Sequence, residues 1–307
     1  MGGHAFIAKG EVGSIQDHER NAAKIATQVL ELVSRGYNLV ITHGNGPQVG
    51  NRLLQNELTR DDVPPMPLDV LVADTEGQLG YVLQLALLNE LRRRKQKRYV
   101  VTTITQVVVD NSDPAFDDPN KPIGPFYSQE DAQEQARKLG WKVVEDSGRG
   151  WRRVVPSPRP LKVIQRYTIR DSAAEGHIVI SCGGGGIPVK LLENGDYEGV
   201  EAVVDKDLTS ALLATDIDAE LFIILTDVEK VYLNFGTPEQ TGLDAVTVEL
   251  LERYIKEGHF PPGSMGPKME AVYHYLTNGG RRSIITSPDH LFDALEGRAG
   301  THFVGRL

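Results

Sequence analysis

The chain has 307 residues with 40% hydrophobic content, enough for one large α/β core or two modest ones, and a formal net charge of -9. The acidic balance argues against a general nucleic-acid or anionic-membrane binder, and neither an apolar run of ~20 residues nor a signal-peptide pattern is present. The single cysteine, Cys182, excludes an intramolecular disulfide framework and disfavours a structural zinc site, so we expect a cytoplasmic protein.

Strands and helices alternate along the first part of the chain, a pattern typical of a largely parallel sheet covered on both faces. An apolar helical stripe ends at Gly36, and residues 38–42 predict a buried strand that runs into a glycine-rich turn. A second helix is predicted over residues 68–94. Residues 98–110 predict one long strand that leaves the main sheet.

Residues 106–160 differ in composition from the rest of the chain. They are rich in Asp, Pro, Gly and aromatic residues, with strand-like pieces at 141–144 and 151–155. We therefore predict one domain over residues 1–307 with an inserted lid-like subdomain at 106–160. Beyond it we predict strands at 177–182, 221–226 and 283–286, and helices at 206–214, 247–256, 268–277 and 289–295.

Five short blocks carry the candidate chemistry, namely residues 2–4, 43–47, 182–186, 205–207 and 263–268. Several follow a strand, where open N–H groups and a helix N-terminus can hold an anion. The tetraglycine after residue 182 lets the backbone approach a ligand, with a flexible turn as the alternative. Lys206 lies between two aspartates, where a capped helix with ordinary surface charges is the alternative. Lys268 lies in a helix first turn, where the dipole disfavours a cation unless an anion is present. Lys121 lies in the subdomain and could swing over a site, or it is a solvated lysine.

Three lysines and several glycine blocks, with no nucleophile–base pair, indicate phosphoryl transfer by positioning and charge stabilisation. No Walker motif and no Gly-x-Gly-x-x-Gly fingerprint is present. The histidines show no metal-ligand spacing, so no metal-binding residues are predicted.

The combination of these blocks resembles carbamate kinases, in the amino acid kinase superfamily, over nearly the whole chain. The subdomain blocks favour this family over acetylglutamate, aspartate or uridylate kinases. The residues that carry the resemblance are His43-Gly44-Asn45-Gly46-Pro47-Gln48-Val49-Gly50, Lys121-Pro122-Ile123-Gly124-Pro125-Phe126, Gly148-Arg149-Gly150-Trp151-Arg152, the tetraglycine, Val204-Asp205-Lys206-Asp207 and Gly258 to Lys268.

The resemblance implies an open αβα sandwich, a homodimer, and reversible phosphoryl transfer between ATP and carbamate that gives ADP and carbamoyl phosphate. Mg²⁺ would ride on the nucleotide phosphates without a dedicated set of protein ligands. Lys206 and Lys268 would stabilise the migrating phosphoryl group, Asp207 would orient them, and Lys121 would contact the carbamoyl phosphate. Substrate and phosphate would bind to Gly2, Gly3, Gly44, Asn45, Gly46, Gly184 and Gly185, and the nucleotide to Thr226, Asp227, Tyr232 and Met265.

Two departures from the family pattern leave alternatives open. The family begins with a strand that runs into Gly-Gly-Asn, whereas this sequence starts at Met1 directly before Gly2-Gly3-His4. We therefore expect a trimmed or mis-set start, and His4 weakens the amide role of that loop. A catalytically silent nucleotide-binding homologue and an amino acid kinase for another small acid remain alternatives. The direction, ATP formation in arginine breakdown or carbamoyl phosphate synthesis, does not follow from the sequence.

Overall fold

The computed structural model describes the chain except Lys9, Ser147, Arg149, Pro262, Gly263, Arg306 and Leu307, and at Gly3 and His4 it describes the backbone alone. Arg149 and Gly263 of the predicted blocks, and the side chain of His4, therefore lie outside the described residues. The chain divides into two compact units, a first unit over Gly3–Lys206 and a second unit over Met1–Gly2 and Asp207–Leu307. None of the described helices has the length and apolar content that a bilayer crossing needs.

The helices begin where the sequence supplies start signals. Ser14 and Asp17 form a capping box at the first helix, in which Ser14 Oγ accepts the Asp17 N–H and Asp17 accepts the Ser14 N–H. Gly140 ends another helix in the left-handed conformation that glycine adopts without strain. The described helices are α1 (Ile15–Ser34), α2 (Gly46–Thr59), α3 (Leu68–Arg93), α4 (Gln129–Leu139), α5 (Arg166–Ala174), α6 (Lys206–Asp216), α7 (Val248–Lys256), α8 (Met265–Thr277) and α9 (Leu291–Leu295).

The strands are short, and many of them are rich in the β-branched residues that favour strands. They are β1 (Val40–Ile41), β2 (Val100–Thr102), β3 (Gln106–Val109), β4 (Lys121–Tyr127), β5 (Lys142–Glu145), β6 (Trp151–Val155), β7 (Pro160–Val163), β8 (Ile178–Ile180), β9 (Ile187–Leu191), β10 (Tyr197–Gly199), β11 (Leu221–Leu225), β12 (Val231–Leu233), β13 (Thr241–Leu243), β14 (Ala245–Thr247), β15 (Arg282–Thr286) and β16 (Thr301–Val304).

The first unit contains a parallel sheet whose middle strand is β8, between β1 and β2. All three residues of β8 are buried, as expected for a strand covered on both faces. A second sheet has the order β10-β9-β3-β7, and its β3–β9 pair is parallel. A third sheet, β4-β6-β5, is antiparallel and is accompanied by α4. This third sheet lies within the residues predicted as a subdomain.

The second unit contains the sheet β11-β15-β16-β14, with parallel pairs at both of its ends, and the hairpin β12–β13. Its core is built around Tyr275, which is fully buried and lies 5.5 Å from Phe222 between ring centroids. The Tyr275 hydroxyl donates to the Ala219 carbonyl, so its polar end is satisfied. The predicted α/β class with parallel strands is confirmed.

The predicted single strand over residues 98–110 is wrong, because the segment forms two strands in two different sheets. Val100 of β2 pairs with Ile178, whereas Gln106 of β3 pairs with Ile187. Between them, the Thr103 N–H donates to the Ile180 carbonyl at 2.9 Å and the Thr105 N–H donates to a side chain, Glu76. Helices α2, α4 and α5 were not predicted, whereas α3 is confirmed almost to its last residue.

Candidate active site

The tetraglycine follows β8 as a buried turn in which the last three glycines have positive φ values. Gly184 and Gly185 have φ values of +69° and +99°. A Cβ on Gly184 would lie 2.2 Å from Asn45 Nδ2, and one on Gly185 would lie 2.2 Å from the Val204 carbonyl oxygen. Both positions therefore require glycine for conformation and for space.

The amide groups of this turn already have acceptors within the protein. The Gly184 N–H donates to the His43 carbonyl at 2.7 Å, and the Gly185 N–H donates to the Cys182 carbonyl at 3.1 Å. The glycines thus allow other protein groups to pack closely against the turn. The sequence had suggested instead that their N–H groups are open to a ligand. The binding roles of Gly184 and Gly185 stay predictions.

The block at residues 43–46 links β1 to the N-terminus of α2. Asn45 is the N-cap residue, but its side chain caps no backbone N–H and instead donates to Thr75 Oγ1 at 2.8 Å. The first turn of α2 begins with Gly46 and Pro47, and it contains no acidic side chain. A helix start without a side-chain cap offers N–H groups and a positive dipole end, which are the features that bind an anion.

Lys121 is not a free loop lysine, because it begins β4 and bonds to an aspartate 84 residues away. Its Nζ donates to Asp205 Oδ2 at 2.7 Å, and the Asp205 side chain is only 14% exposed. The pair lies entirely in the first unit. Lys121 therefore lies next to Asp205, which the sequence marked only as one of the two aspartates beside Lys206.

Lys268 makes the equivalent pair in the second unit. Its Nζ donates to Asp207 Oδ2 at 3.1 Å, and the two side chains are 16% and 10% exposed. Asp207 lies in the first turn of α6, and Lys268 in the first turn of α8. Lys206 is the first residue of α6, directly between the two aspartates in the chain.

The predicted nucleotide residues all lie in the second unit. Thr226 and Asp227 directly follow β11, and the Thr226 N–H donates to the Thr286 carbonyl at 2.9 Å. Tyr232 lies on β12, with its ring 6.0 Å from that of Phe235. Met265 begins α8 and packs against the core of this unit. Residues at the carboxyl end of a parallel strand are where open α/β sheets bind ligands.

At the start of the chain, Gly3 opens a 3-10 turn over Gly3–Phe6. Phe6 is fully buried, and its ring meets that of His43 edge-on at 5.4 Å. Gly2 precedes the turn. The predicted binding roles of Gly2 and Gly3 stay predictions.

Glu76 and His43 are buried titratable groups beside the tetraglycine. Burial raises the pKa of Glu76 to about 7, although backbone N–H groups from Thr105 and Gly183 oppose this shift. Burial lowers the pKa of His43 to about 4, and its Nε2 has no hydrogen-bond partner among the residues that the structure describes. Burial, followed by the charge of Glu76, raises the pKa of Cys182. The site therefore contains one acid that titrates near neutral pH.

Glu76 was missed in the sequence, although one signal was present. It falls in register with Val72, Leu79 and Leu83 on the buried side of α3. A charged residue in an apolar stripe calls for a specific partner, because an unpaired buried charge is costly.

A cavity of about 280 Å³ also opens in the first unit, lined among others by Leu53, Trp141 and Arg153. None of the predicted site residues lines it. Among the described residues, no group of three or more His, Cys, Asp or Glu side chains is arranged to hold a metal ion.

The chain is similar to known proteins of one family. The model of the amino acid kinase family matches residues 2–287. Carbamate kinase from Pyrococcus furiosus is 49% identical over 98% of this chain and 96% of its own length. The carbamate kinase-like protein YahI from Escherichia coli is 47% identical over 99% of this chain and 97% of its own length. The structure of carbamate kinase from Giardia lamblia bound to AMP-PNP superimposes with a TM-score of 0.92 at 38% identity, covering 99% of this chain and 96% of that one.

Proposed function

The chain belongs to the amino acid kinase family and is a phosphotransferase, and we propose that it acts as a carbamate kinase. The reaction moves a phosphoryl group reversibly between ATP and carbamate. A carbamate oxygen forms a bond to the γ-phosphorus while the bond from that phosphorus to the bridging oxygen breaks, and ADP leaves with the electron pair. In the reverse direction, ADP takes the group from carbamoyl phosphate.

One observation carries the proposal, namely that each aspartate of the block Asp205-Lys206-Asp207 bonds to a lysine far away in the chain. Asp205 holds Lys121, and Asp207 holds Lys268. Phosphoryl transfer needs fixed positive charge and little covalent chemistry, since its transition state spreads negative charge over the phosphoryl oxygens. Carboxylates that fix lysines provide this without a nucleophile.

The resemblance to carbamate kinases assigns the residue roles, and the two lysine–aspartate pairs support them. Lys206 and Lys268 stabilise the migrating phosphoryl group, and Asp207 orients Lys268. Lys121 contacts the carbamoyl phosphate, and it arrives with the lid-like subdomain at 106–160. Closure of such a lid excludes water from the reaction.

The small substrate binds at the glycine-rich blocks. The uncapped start of α2 supports this assignment, because its N–H groups and dipole favour an anion. The tetraglycine contributes by shape, since its amides are engaged within the protein. The residues in this role are Gly2, Gly3, Gly44, Asn45, Gly46, Gly184 and Gly185.

ATP or ADP binds in the second unit, at Thr226, Asp227, Tyr232 and Met265. Mg²⁺ enters as part of the nucleotide, because it binds phosphates readily and keeps several of its waters. Asp205 and Asp207 already accept hydrogen bonds from lysines, so they suit the role of orienting charge better than that of metal ligands. When bound, Mg²⁺ neutralises charge on the phosphates.

We place the protein in the cytoplasm, in arginine metabolism, and as a homodimer. An exposed apolar strip of the first unit supports the dimer. Tyr81, Leu85 and Leu88 are exposed on α3, with exposed Tyr99 and Ile104 in the flanking chain. The side chain of Ile104 would lie 3.9 Å from a Cβ on Gly77, so it adjoins the start of this strip. A second copy would cover the strip.

A catalytically silent homologue is the second candidate, because the Escherichia coli relative of comparable identity carries the name carbamate kinase-like protein. An amino acid kinase for another small acid is the third. The test is ATP formation by the wild-type chain from MgADP with carbamoyl phosphate, beside acetyl phosphate and other acyl phosphates. Strong preference for carbamoyl phosphate supports the proposal. Preference for another acyl phosphate supports an amino acid kinase for another small acid. Nucleotide binding without transfer supports a catalytically silent homologue.

A further inference from the structure

Glu76 carries a carboxylate whose two oxygens bind two separate backbone segments. Its Oε1 accepts the Gly183 N–H at 2.8 Å, and its Oε2 accepts the Thr105 N–H at 3.0 Å. Gly183 begins the 3-10 turn of the tetraglycine, and Thr105 directly precedes β3. The side chain thus joins α3 to the turn and to a strand of the neighbouring sheet.

The side chain is also a steric support for the turn. A Cβ on Gly183 would lie 2.8 Å from Glu76 Cγ and equally close to His43 Cε1. The backbone at Gly183 therefore packs between these two buried side chains. Displacing it requires moving α3 or the segment after β1.

Retaining a carboxylate here is costly. Glu76 is 1% exposed, and no lysine or arginine forms an ion pair with it in the part of the chain that the structure describes. A buried carboxylate without a cation destabilises the folded state, whereas an apolar side chain of similar size does not. A neutral glutamine has only one acceptor oxygen, so it cannot accept both N–H groups as the carboxylate does.

The tetraglycine turn also holds residues 204–206, which lie next to Lys121 and include Lys206. Gly185 packs against the Val204 carbonyl so closely that a Cβ would lie 2.2 Å from its oxygen and 3.3 Å from the Lys206 nitrogen. Asp205, between these residues, holds Lys121. A continuous series of contacts within the first unit therefore runs from Glu76 through the turn to Lys206, and through Asp205 to Lys121.

From these contacts we infer that Glu76 is a positioning residue for phosphoryl transfer, which acts by holding the turn at 182–186 and, through it, the segment 204–206. The inference rests on the proposed function. Misplacing a catalytic lysine by about 1 Å costs on the order of 100-fold in rate. Loss of this anchor therefore lowers turnover without removing any group that touches the substrate.

The test compares Glu76→Gln with Glu90→Gln, its matched control. Glu90 is also buried on α3, but its partners are Arg93, the last residue of the helix, and Arg94, which caps it. We expect Glu76→Gln to lower kcat by about 10-fold or more, counted per bound nucleotide, with the KM for ADP unchanged. Amide exchange in peptides covering 182–186 becomes faster. Glu90→Gln changes neither quantity.

Unchanged kcat per bound nucleotide overturns the inference, and so does unchanged exchange at 182–186. A purely structural role would reduce the amount of folded enzyme and leave its kcat intact. If Glu76→Gln fails to fold, Glu76→Asp, which keeps the charge on a shorter side chain, is held to the same two criteria. If the wild-type chain transfers no phosphoryl group at all, the proposed function is wrong, and the exchange data alone decide whether Glu76 anchors the turn.

Discussion

Lys268 Nζ lies 3.1 Å from Asp207 Oδ2, and this pair joins the first turns of α8 and α6. A cation in a helix first turn is opposed by the helix dipole, so the sequence alone suggested an anionic ligand at Lys268. In the structure, the Asp207 carboxylate supplies a compensating negative charge. The ion pair with Asp207 therefore accounts in part for a lysine at this position, and substitution of Lys268 tests its proposed catalytic role.

Removing either lysine of the phosphoryl site is expected to slow the reaction. Lys206→Ala and Lys268→Ala should each lower kcat by ~10²-fold or more, because each removes a charge that acts mainly in the transition state. Steady-state ATP formation measures this. Lys256→Ala, which removes an exposed lysine paired with Glu252 on α7, is the control. Near-normal turnover in both site variants would contradict the assigned roles.

Lys121 should act on substrate affinity more than on turnover. Lys121→Ala is expected to raise the KM for carbamoyl phosphate by about 10-fold, with a smaller change in kcat, because it removes a substrate contact that arrives with the subdomain. The control is Lys142→Ala in β5, whose partner Asp118 is exposed. Equal KM values for the two variants would refute the assignment.

Gly185 should tolerate no side chain. Gly185→Ala combines a φ of +99° with a Cβ 2.2 Å from the Val204 carbonyl oxygen, whereas Gly195→Ala has a φ of +91° and no atom within 4 Å. The control, Gly195→Ala, should lower the free energy of unfolding by about 1–2 kcal/mol through backbone strain. Gly185→Ala should lower it by roughly 1–3 kcal/mol more through overpacking. Urea denaturation measures both. Equal losses would mean that the packing at Gly185 is not tight.

Glu76 should give the protein a specific pH dependence of stability. Burial raises its pKa from 4.5 to about 7, so the folded state binds more protons than the unfolded state between these values. The free energy of unfolding due to this group therefore falls as pH rises, by about 2–3 kcal/mol from pH 5 to pH 8. The stability of the wild type relative to Glu76→Gln should decline over that range.

Other buried groups near Glu76 also titrate, which is why the comparison uses a difference between two proteins. Because the pKa of His43 is lowered, its contribution to the free energy of unfolding falls as the pH decreases from 6.5 towards 4. This effect is opposite in sign to that of Glu76. The raised pKa of Cys182 lies above the range. Both contributions occur in the wild type and in Glu76→Gln. A stability difference that stays constant from pH 5 to pH 8 would show that Glu76 does not titrate there.

The apolar strip on α3 should hold two copies together. Leu85→Glu places a charge in the strip, and we expect it to give monomers in sedimentation experiments where the wild type gives dimers. Leu191→Glu, at another exposed apolar position of the first unit, is the control. A monomeric wild type, or a dimeric Leu85→Glu variant, would count against this interface.

Long periodic segments could be predicted from the sequence, and segments whose structure depends on distant partners could not. Helix α3 was predicted almost to its last residue because its apolar repeat is long. The break between β2 and β3 was missed because residues 100–109 read as one continuous β-forming run. Between the two strands, the Thr103 N–H donates to the Ile180 carbonyl and the Thr105 N–H donates to Glu76, and both partners are distant in the sequence.

The candidate site divides in the same way. Lys121, Lys206, Asp207 and Lys268 were predicted as site residues because their motifs are local and resemble those of a family. The contact of Glu76 with Gly183 and that of Asp205 with Lys121 were not predicted, because the partners lie 107 and 84 positions away. The sequence suggested that the tetraglycine lets the backbone approach a ligand. In the structure, Gly184 and Gly185 are required because a Cβ at either position would lie 2.2 Å from another protein atom.

Phosphorus NMR of carbamoyl phosphate and MgADP incubated with the wild-type chain tests most directly whether the protein is a carbamate kinase. We expect the carbamoyl phosphate signal to be replaced by the γ-phosphate signal of ATP in equal amount, and we expect Lys268→Ala to slow this conversion by ~10²-fold. Decay of carbamoyl phosphate to inorganic phosphate at the rate without enzyme, with no ATP formed, would contradict it.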